Sequence, residues 1–327
     1  MQRLIYYCLP LCLLFSGCGK EQVPVTDQDP EALAAAIPAD EGGPAAPAPV
    51  ASPVAPPAPI PQAAPTPPPP APGAASTQVQ AIQNALMKAN PKYAGEGEIV
   101  FQGVGCMVNL TGQPITDISA LSRVPLLHFE APQTPLENLA PLRGMPLTAF
   151  YIEQTRVWDL EPLRGAPIEN MYISETFVKD IGPLKGMPLT ELNMVGTEVG
   201  DISALEGAPL KMLWLTGTRV SDVSPLAKSP LESITLENTR VMDLAPLAQI
   251  KTLQRLHIGG TPVTDLTPIA SMPLTRLVFT PGRITKGIDL IRANPSLREL
   301  GLQFNQQSDL MPPQIFWDMY DKGAFKE

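Results

Sequence analysis

The amino-acid sequence predicts an α/β solenoid with a parallel β-sheet on its concave face and 3-10 and turn segments on its convex face. Three observations favour this fold class. Most of the chain repeats with a period of 21 residues, each repeat contains one short strand pattern, and prolines recur where a long helix would otherwise form. Neighbouring repeats must therefore stack to bury a common core, and each end of the stack needs a cap.

The repeat unit begins at a recurring Pro-Leu. Apolar residues occupy unit positions 2, 5, 7, 12, 15 and 18, with Thr at 10, Asp at 14 and commonly Pro at 17. This is the spacing of a leucine-rich repeat, L-x-x-L-x-L-x-x-N, with Thr in the usual place of Asn. Eight units have 21 residues, and the unit from Pro230 has one more, near Lys251. The units start at Val104, Pro125, Pro146, Pro167, Pro188, Pro209, Pro230, Thr252 and Pro273.

Each unit is expected to form a strand followed by a capped turn. Positions 5 to 7 alternate between inward and outward side chains, as in Leu213, Trp214 and Leu215, which predicts a short parallel strand. Asp at position 14 can accept backbone N–H groups and Pro at 17 has none to donate, which favours a 3-10 turn. We interpret both polar rows as structural, and the Asp row not as a calcium ladder. The rows are Asp117, Asp159, Asp180, Asp201, Asp222, Asp243 and Asp265, and Thr134, Thr155, Thr176, Thr197, Thr218, Thr239 and Thr261.

The leucine-rich repeats are expected over residues 104–283, with a cap on either side. In the N-terminal cap, residues 76–103, Ser76 is predicted to begin an amphipathic helix that ends near Asn90, and two paired strands follow. Residues 284–327 are predicted to form a last repeat and the C-terminal cap. They comprise a helix from about 286 to 293, a strand within 297–304 and an aromatic tail over 313–320 that covers the final coil.

The N-terminal segment carries the marks of export. Residues 1–17 combine a basic start at Arg3 with an apolar run too short to span a bilayer, which indicates a signal peptide. They lead into Phe-Ser-Gly-Cys at 15–18, which resembles the lipobox of bacterial lipoproteins and implies a lipid on Cys18. The alternative is ordinary cleavage, which would leave a soluble secreted protein with a spare thiol at Cys18.

Residues 18–75 read as a linker. Between Glu21 and Ala75 there are seventeen prolines, six acidic residues and no Lys or Arg, without the apolar periodicity that a core requires. We therefore expect a disordered, extended segment that sets the distance from a membrane. A second possible role, as a ligand for a proline-binding domain, rests on runs such as the four prolines at 67–70.

Several sequence segments resemble those of a bacterial protein family. They are Leu-Lys-Gly-Met-Pro-Leu-Thr at 184–190, Ile-Thr-Lys-Gly-Ile-Asp-Leu-Ile at 284–291 and Phe-Trp-Asp-Met-Tyr-Asp-Lys-Gly-Ala-Phe at 316–325. They are similar to the leucine-rich-repeat regions of planctomycete-type bacteria, and the resemblance covers residues 78–327. Such repeats often accompany a kinase or another enzyme domain. In this sequence a lipoprotein signal and a linker stand in the place of that domain. The resemblance implies the fold and an interaction role but no substrate. Internalin repeats are more distant in pattern.

Composition and motifs argue against several functions. After export the folded part retains only Cys106, expected to be a small buried hydrophobe, and two histidines in different repeats, so we predict no disulfide and no metal site. The formal net charge of -9 disfavours a nucleic-acid partner. We find no nucleophile with its base, no paired carboxylates in a pocket and no phosphate-binding glycine loop. The sequence therefore predicts no catalytic residue, no cofactor and no enzyme.

The outward side chains of the strands are the candidate functional residues. Unit position 6 carries three of the few aromatic residues of the chain in one row, where exposed aromatics are typical of interfaces. The alternative is that β-sheets favour aromatic residues for their own stability. From this row we predict a partner-binding set of Tyr151, Tyr172, Asn193, Trp214 and His257.

Together these features predict a lipid-anchored binding module. Its concave face is expected to hold a protein or glycan at the bacterial cell envelope. The anchor is expected in the cell membrane or the outer membrane, with the repeats facing the periplasm or the exterior. The alternative is a structural envelope spacer without a specific ligand.

Overall fold

The structure is a computed structural model of the chain, and it describes residues 72–103, 105–303 and 309–325. These residues belong to one compact unit, Thr66–Glu327. The predicted signal peptide, the predicted lipidation site Cys18 and the linker up to residue 71 lie outside the described residues.

Twelve strands of the described chain form a single sheet in which strand order follows sequence order. The first pair and the last pair are antiparallel, and every pair between them is parallel. The predicted leucine-rich-repeat solenoid is therefore confirmed. The strands are β1 Glu98–Gln102, β2 Gly105–Asn109, β3 Leu126–Glu130, β4 Ala149–Tyr151, β5 Asn170–Tyr172, β6 Glu191–Asn193, β7 Met212–Trp214, β8 Ser233–Thr235, β9 Arg255–His257, β10 Arg276–Val278, β11 Glu299–Gly301 and β12 Leu310–Met311.

A short 3-10 helix lies on the convex side of each coil from β2 to β9, and in the coil of β10 one directly follows the strand. The Asp at position 14 lies one residue before the N-cap, and its Oδ1 accepts the N–H of the first 3-10 residue, as from Asp222 to Ser224 at 2.8 Å. The same bond recurs at all seven Asp residues of the row, and Asn138 makes it where a unit lacks the Asp. The structural interpretation of the Asp row is confirmed. The 3-10 helices are Ser119–Leu121, Ala140–Leu142, Glu161–Leu163, Gly182–Leu184, Ser203–Leu205, Ser224–Leu226, Ala245–Gln249, Thr267–Ile269 and Pro281–Arg283.

The Thr row closes the turn after each strand. All seven Thr side chains are buried, and each Oγ1 donates to the carbonyl three residues earlier, for example from Thr218 to Leu215 at 2.7 Å. A hydroxyl inside a core is costly unless it is hydrogen-bonded, and this bond satisfies it locally. The structural interpretation of the Thr row is likewise confirmed.

The extra residue of the unit from Pro230 leaves the sheet undisturbed. Strands β8 and β9 keep the same register as the other parallel pairs, with Thr235 opposite His257. The 3-10 helix of this coil spans five residues, Ala245–Gln249, whereas the preceding ones span three. The insertion is therefore absorbed on the convex side.

The N-terminal cap starts earlier than its sequence suggests. Helix α1 spans Pro72–Ala89, so Ser76 lies inside it and the last four residues of the expected linker are helical. Proline suits the first turn of a helix because its missing N–H has no partner there anyway. After the helix, the buried Asn90 binds the first coil: its Oδ1 accepts the N–H of Thr116 and of Asp117, and its amide donates to the Asp117 carbonyl. Asn90 thus joins the cap to the repeats.

The C-terminal cap covers the last coil with aromatic side chains. Helix α2, Ile288–Arg292, is shorter than expected, and helix α3 spans Pro313–Asp321. Phe316 is fully buried, with its ring centroid 5.5 Å from that of Phe279 in the repeats. Arg292 lies 5.0 Å from the Trp317 ring centroid and pairs with Asp321 at 2.7 Å. Within the described residues no helix is both long and apolar enough to cross a membrane.

Candidate partner-binding surface

The concave face consists of columns of outward side chains. In the parallel strands the backbone partners are equivalent residues of successive units, so Tyr151 pairs with Tyr172, Tyr172 with Asn193, and Asn193 with Trp214. Neighbouring strands lie ~4.8 Å apart, so equivalent side chains of successive coils are in contact. Unit positions 4, 6 and 8 face this surface because side chains alternate along a strand.

Four rings form a continuous aromatic row along this face, made of His128, Tyr151, Tyr172 and Trp214. Successive ring centroids are 5.2, 5.1 and 5.9 Å apart, and the interplanar angles lie between 28 and 40°. All four side chains are partly exposed. The predicted positions of both tyrosines and the tryptophan are therefore correct, and His128 adds a ring that the prediction omitted.

Two of the predicted contact residues are covered. Asn193 is 8% exposed and His257 is 4% exposed, so the expectation that both present their side chains to a partner is wrong. The strands of Tyr172 and Trp214 are two spacings apart, ~10 Å, yet their ring centroids approach to 5.9 Å. The rings therefore lean toward each other over Asn193, whose Oδ1 accepts the N–H of Val195. Burial lowers the pKa of His257 to about 4, and two nearby arginines add to this effect, so the imidazole is neutral.

Carboxylates surround the aromatic row. Their proximity to the row was not predicted from the sequence. Glu130 accepts a hydrogen bond from Asn109 and contacts His128, both at 2.6 Å. The hydroxyl of Tyr172 donates to Glu191 at 2.7 Å. Glu153 occupies position 8 beside the row. The signal was present in the sequence, since these glutamates all fall at outward unit positions, namely 6, 8 and 4 for Glu130, Glu153 and Glu191.

Glu153 stands out among these carboxylates. Burial, together with the smaller effect of the negative charge of Glu130, raises its pKa to about 7. Its Oε2 is buried and has no hydrogen-bond partner within the described part of the chain. Burial likewise raises the pKa of Glu237, which occupies the same unit position four coils further along, to about 7.

Glu153→Gln is expected to stabilise the protein at alkaline pH. The folded state keeps the Glu153 proton up to about pH 7, whereas the unfolded chain releases it near the ordinary pKa of a glutamate. The bound proton therefore stabilises the folded state fully below pH ~4.5, and this stabilisation is lost as the pH rises through 7. Glutamine removes this loss. We expect a gain of ~1–3 kcal/mol in unfolding free energy at pH 8 and little change at pH 4.5. Denaturant titrations at both pH values measure the difference, and the exposed Glu206→Gln provides the control; equal gains at both pH values would contradict the assignment.

Near its C-terminal end the concave face carries two arginines. Arg255 and Arg276 occupy position 4 in β9 and β10, and Arg276 pairs with Glu299 at 2.7 Å. In β2 to β8, by contrast, positions 4, 6 and 8 contain no Lys or Arg. The charge of the face therefore reverses between the aromatic row and the last coils.

A second exposed feature lies at the start of the convex side. Trp158 is 59% exposed and Phe177 is 61% exposed, in adjacent coils. Hollows of about 410 and 270 Å³ flank Trp158. The repeat pattern does not single out this pair, although both residues occupy outward positions beside the buried Val157 and Val178.

The described residues include no group of three or more His, Cys, Asp or Glu side chains that could hold a metal ion. Their one cysteine, Cys106, is fully buried, and burial raises the pKa of its thiol to about 11. The thiolate, the nucleophilic form, is therefore scarce at neutral pH.

Comparisons with known proteins place the fold. No protein-family model and no curated protein matches the chain. An internalin from Listeria monocytogenes is 24% identical with a TM-score of 0.57, and the match covers 68% of each chain. Internalin C2 from the same species is 22% identical with a TM-score of 0.49 over 68% of this chain and 92% of its own. The plant peptide hormone receptor RGFR1 in complex with RGF2 is 12% identical with a TM-score of 0.46, over 57% and 33%. With its repeats, its strand register and its likeness to the internalin fold, the chain folds as a leucine-rich-repeat solenoid.

Proposed function

We propose that the protein is a lipid-anchored recognition module of the bacterial cell envelope that binds a partner protein on its concave face. The observation that carries this proposal is the aromatic row, partly exposed on an open sheet and bordered by carboxylates. Aromatic side chains bury much area at low entropic cost, which is why interfaces are enriched in them. The resemblance of the repeats to planctomycete-type proteins supports an interaction role.

The stacking of the row favours a protein over a glycan. Tyr151 has a ring on each side, His128 and Tyr172, and Tyr172 lies between Tyr151 and Trp214. A sugar binds an aromatic side chain by packing its C–H groups on the ring face, and both faces of Tyr151 and Tyr172 are already occupied by other rings. The ring edges and the neighbouring carboxylates remain available, and the side chains of a protein can contact both.

The anchor and the linker account for the rest of the proposal. A lipid on Cys18 would hold the chain to the cell membrane or the outer membrane, with the solenoid facing the periplasm or the exterior. Fully extended in polyproline II geometry at ~3.1 Å per residue, the roughly 51 linker residues that precede helix α1 would reach up to ~160 Å. That reach would let the concave face meet a partner well away from the bilayer.

Cys18→Ser is expected to release the protein from the membrane. Serine has no thiol to accept the diacylglyceryl group, so the chain should partition into the aqueous fraction, whereas wild type should require detergent. Phase separation and mass spectrometry of the mature N-terminus measure this. An unmodified N-terminus at another residue in wild type would refute the lipid anchor.

The binding role is tested by two adjacent substitutions. Trp214→Ala should abolish partner capture and cost only ~0.5–1.5 kcal/mol of stability, the value of its stacking on Tyr172. Leu213 is 1% exposed and faces the core, so Leu213→Ala should cost ~2–5 kcal/mol through a cavity.

Thermal melting and crosslinking in native envelopes, with the captured species identified, separate the two effects. If Trp214→Ala retains the same crosslinked partners as wild type, the concave face is not the binding site. Crosslinks to glycans instead of proteins would overturn the partner class.

A further inference from the structure

We infer that the partner segment seated on the aromatic row is an extended, positively charged stretch of polypeptide. This inference rests on the proposed function and adds the chemistry of the partner. It depends on the charge of the face, on an unsatisfied acceptor beside the row and on the spacing of the coils.

The concave face around the aromatic row is acidic. Around the aromatic row the concave positions carry Glu130, Glu153 and Glu191, with no Lys or Arg at positions 4, 6 or 8 from β2 to β8. An acidic partner would be repelled here, whereas a basic segment would be attracted and oriented. The first positive charges on the face are those of Arg255 and Arg276. Because they would repel a basic segment, such a segment should end before β9.

The second observation concerns hydrogen bonding. Oε2 of Glu153 is buried without a hydrogen-bond partner in the described part of the chain. A buried acceptor left in this state is costly, and a donor supplied by a partner would remove that cost. Lysine and arginine fit particularly well, because their alkyl stems can lie along the exposed edges of Tyr151 and Tyr172 while the charged head reaches a carboxylate.

The third observation is the spacing. From Glu130 in β3 to Trp214 in β7 there are four strand spacings, which is ~19 Å. An extended chain rises ~3.3 Å per residue, so about six residues cover the row. Residues on the same side of such a chain recur every ~6.6 Å, and two or three basic side chains can therefore reach the carboxylates in the coils of β3, β4 and β6.

The test uses three labelled peptides of eight residues that differ only in charge. Each alternates Ser with one other residue, Lys in the basic probe, Gln in the neutral probe and Glu in the acidic probe. Fluorescence anisotropy with the full-length chain in detergent, at about pH 8 where Glu153 is ionised and at about 0.15 M salt, should show the basic probe binding at least about tenfold more tightly than the others. Glu153→Gln and Glu191→Gln should each weaken it about threefold to tenfold.

A matched control separates the site from general attraction to an acidic protein. Glu206 is exposed on the convex side, and Glu206→Gln removes the same charge without altering the concave face. Equal losses from Glu206→Gln and Glu153→Gln would overturn the inference, as would the absence of any preference for the basic probe.

The outcome for the native partner distinguishes the two proposals. If crosslinking is lost in Trp214→Ala but unchanged in both Glu153→Gln and Glu191→Gln, the concave face binds its partner by another chemistry and only this inference fails. If Trp214→Ala retains the partner, the proposed function itself fails.

Discussion

Deletion of residues 188–208 is expected to leave a folded solenoid that is one coil shorter. The deletion removes one whole unit, from strand β6 to its 3-10 helix Ser203–Leu205. It joins Met187 to Pro209, which restores the usual junction between units. Strand β5 would then pair with β7 through the same backbone positions, and Tyr172 would become the direct neighbour of Trp214. Because each coil contacts chiefly the coils beside it, the free energy of unfolding should fall only by the contribution of one unit.

Deletion of only residues 188–197 should instead unfold most of the chain. It removes β6 and the buried Leu189, Leu192 and Met194 but retains the following turn, which then has no strand to precede it. Burial of each such side chain contributes ~1.5–3 kcal/mol, and the sum approaches the ~5–15 kcal/mol by which proteins are stable. Circular dichroism and hydrogen exchange compare the two deletions, and equal damage from both would contradict a 21-residue unit.

Phe316→Ala is expected to cost ~3–5 kcal/mol of unfolding free energy. Its ring is fully buried between Phe279 of the last repeats and Phe325 of the tail, with centroids 5.5 and 4.9 Å away. The cavity would expose the final coil, where fraying can begin because no further repeat covers it. Denaturant unfolding measures the loss.

Ile315→Ala is the control for this substitution. Ile315 precedes Phe316 in helix α3 but is exposed, so its truncation should change stability by less than ~0.5 kcal/mol. If both variants unfold at the same denaturant concentration, helix α3 does not cap the repeats in solution.

The sequence predicted the features that follow from local spacing. The Asp and Thr rows make their hydrogen bonds within three residues, as with Asp222 to Ser224 and Thr218 to Leu215. Such bonds depend on the order of residues along the chain, so a repeating pattern is sufficient to infer them. The strand register follows for the same reason, because a one-residue shift would expose the apolar positions.

The features that could not be predicted depend on neighbours in space. Unit position 6 places Asn193 on the concave face, but the rings of Tyr172 and Trp214 meet above it. The direction in which two large side chains lean is decided by packing between coils, which the repeat pattern does not encode. The start of helix α1 at Pro72 was missed because proline and alanine are common both in linkers and in first helical turns.

The extra residue absorbed by the 3-10 helix Ala245–Gln249 separates chain length from recognition. Because the added backbone bulges outward and the strands keep their alignment, the side-chain columns of the concave face are unchanged. Loops of different lengths could therefore accumulate on the outer side, through evolution or by design, while the recognition surface stays constant. A fluorophore-bearing loop inserted after Gln249 would project away from the partner and leave the recognition surface unobstructed.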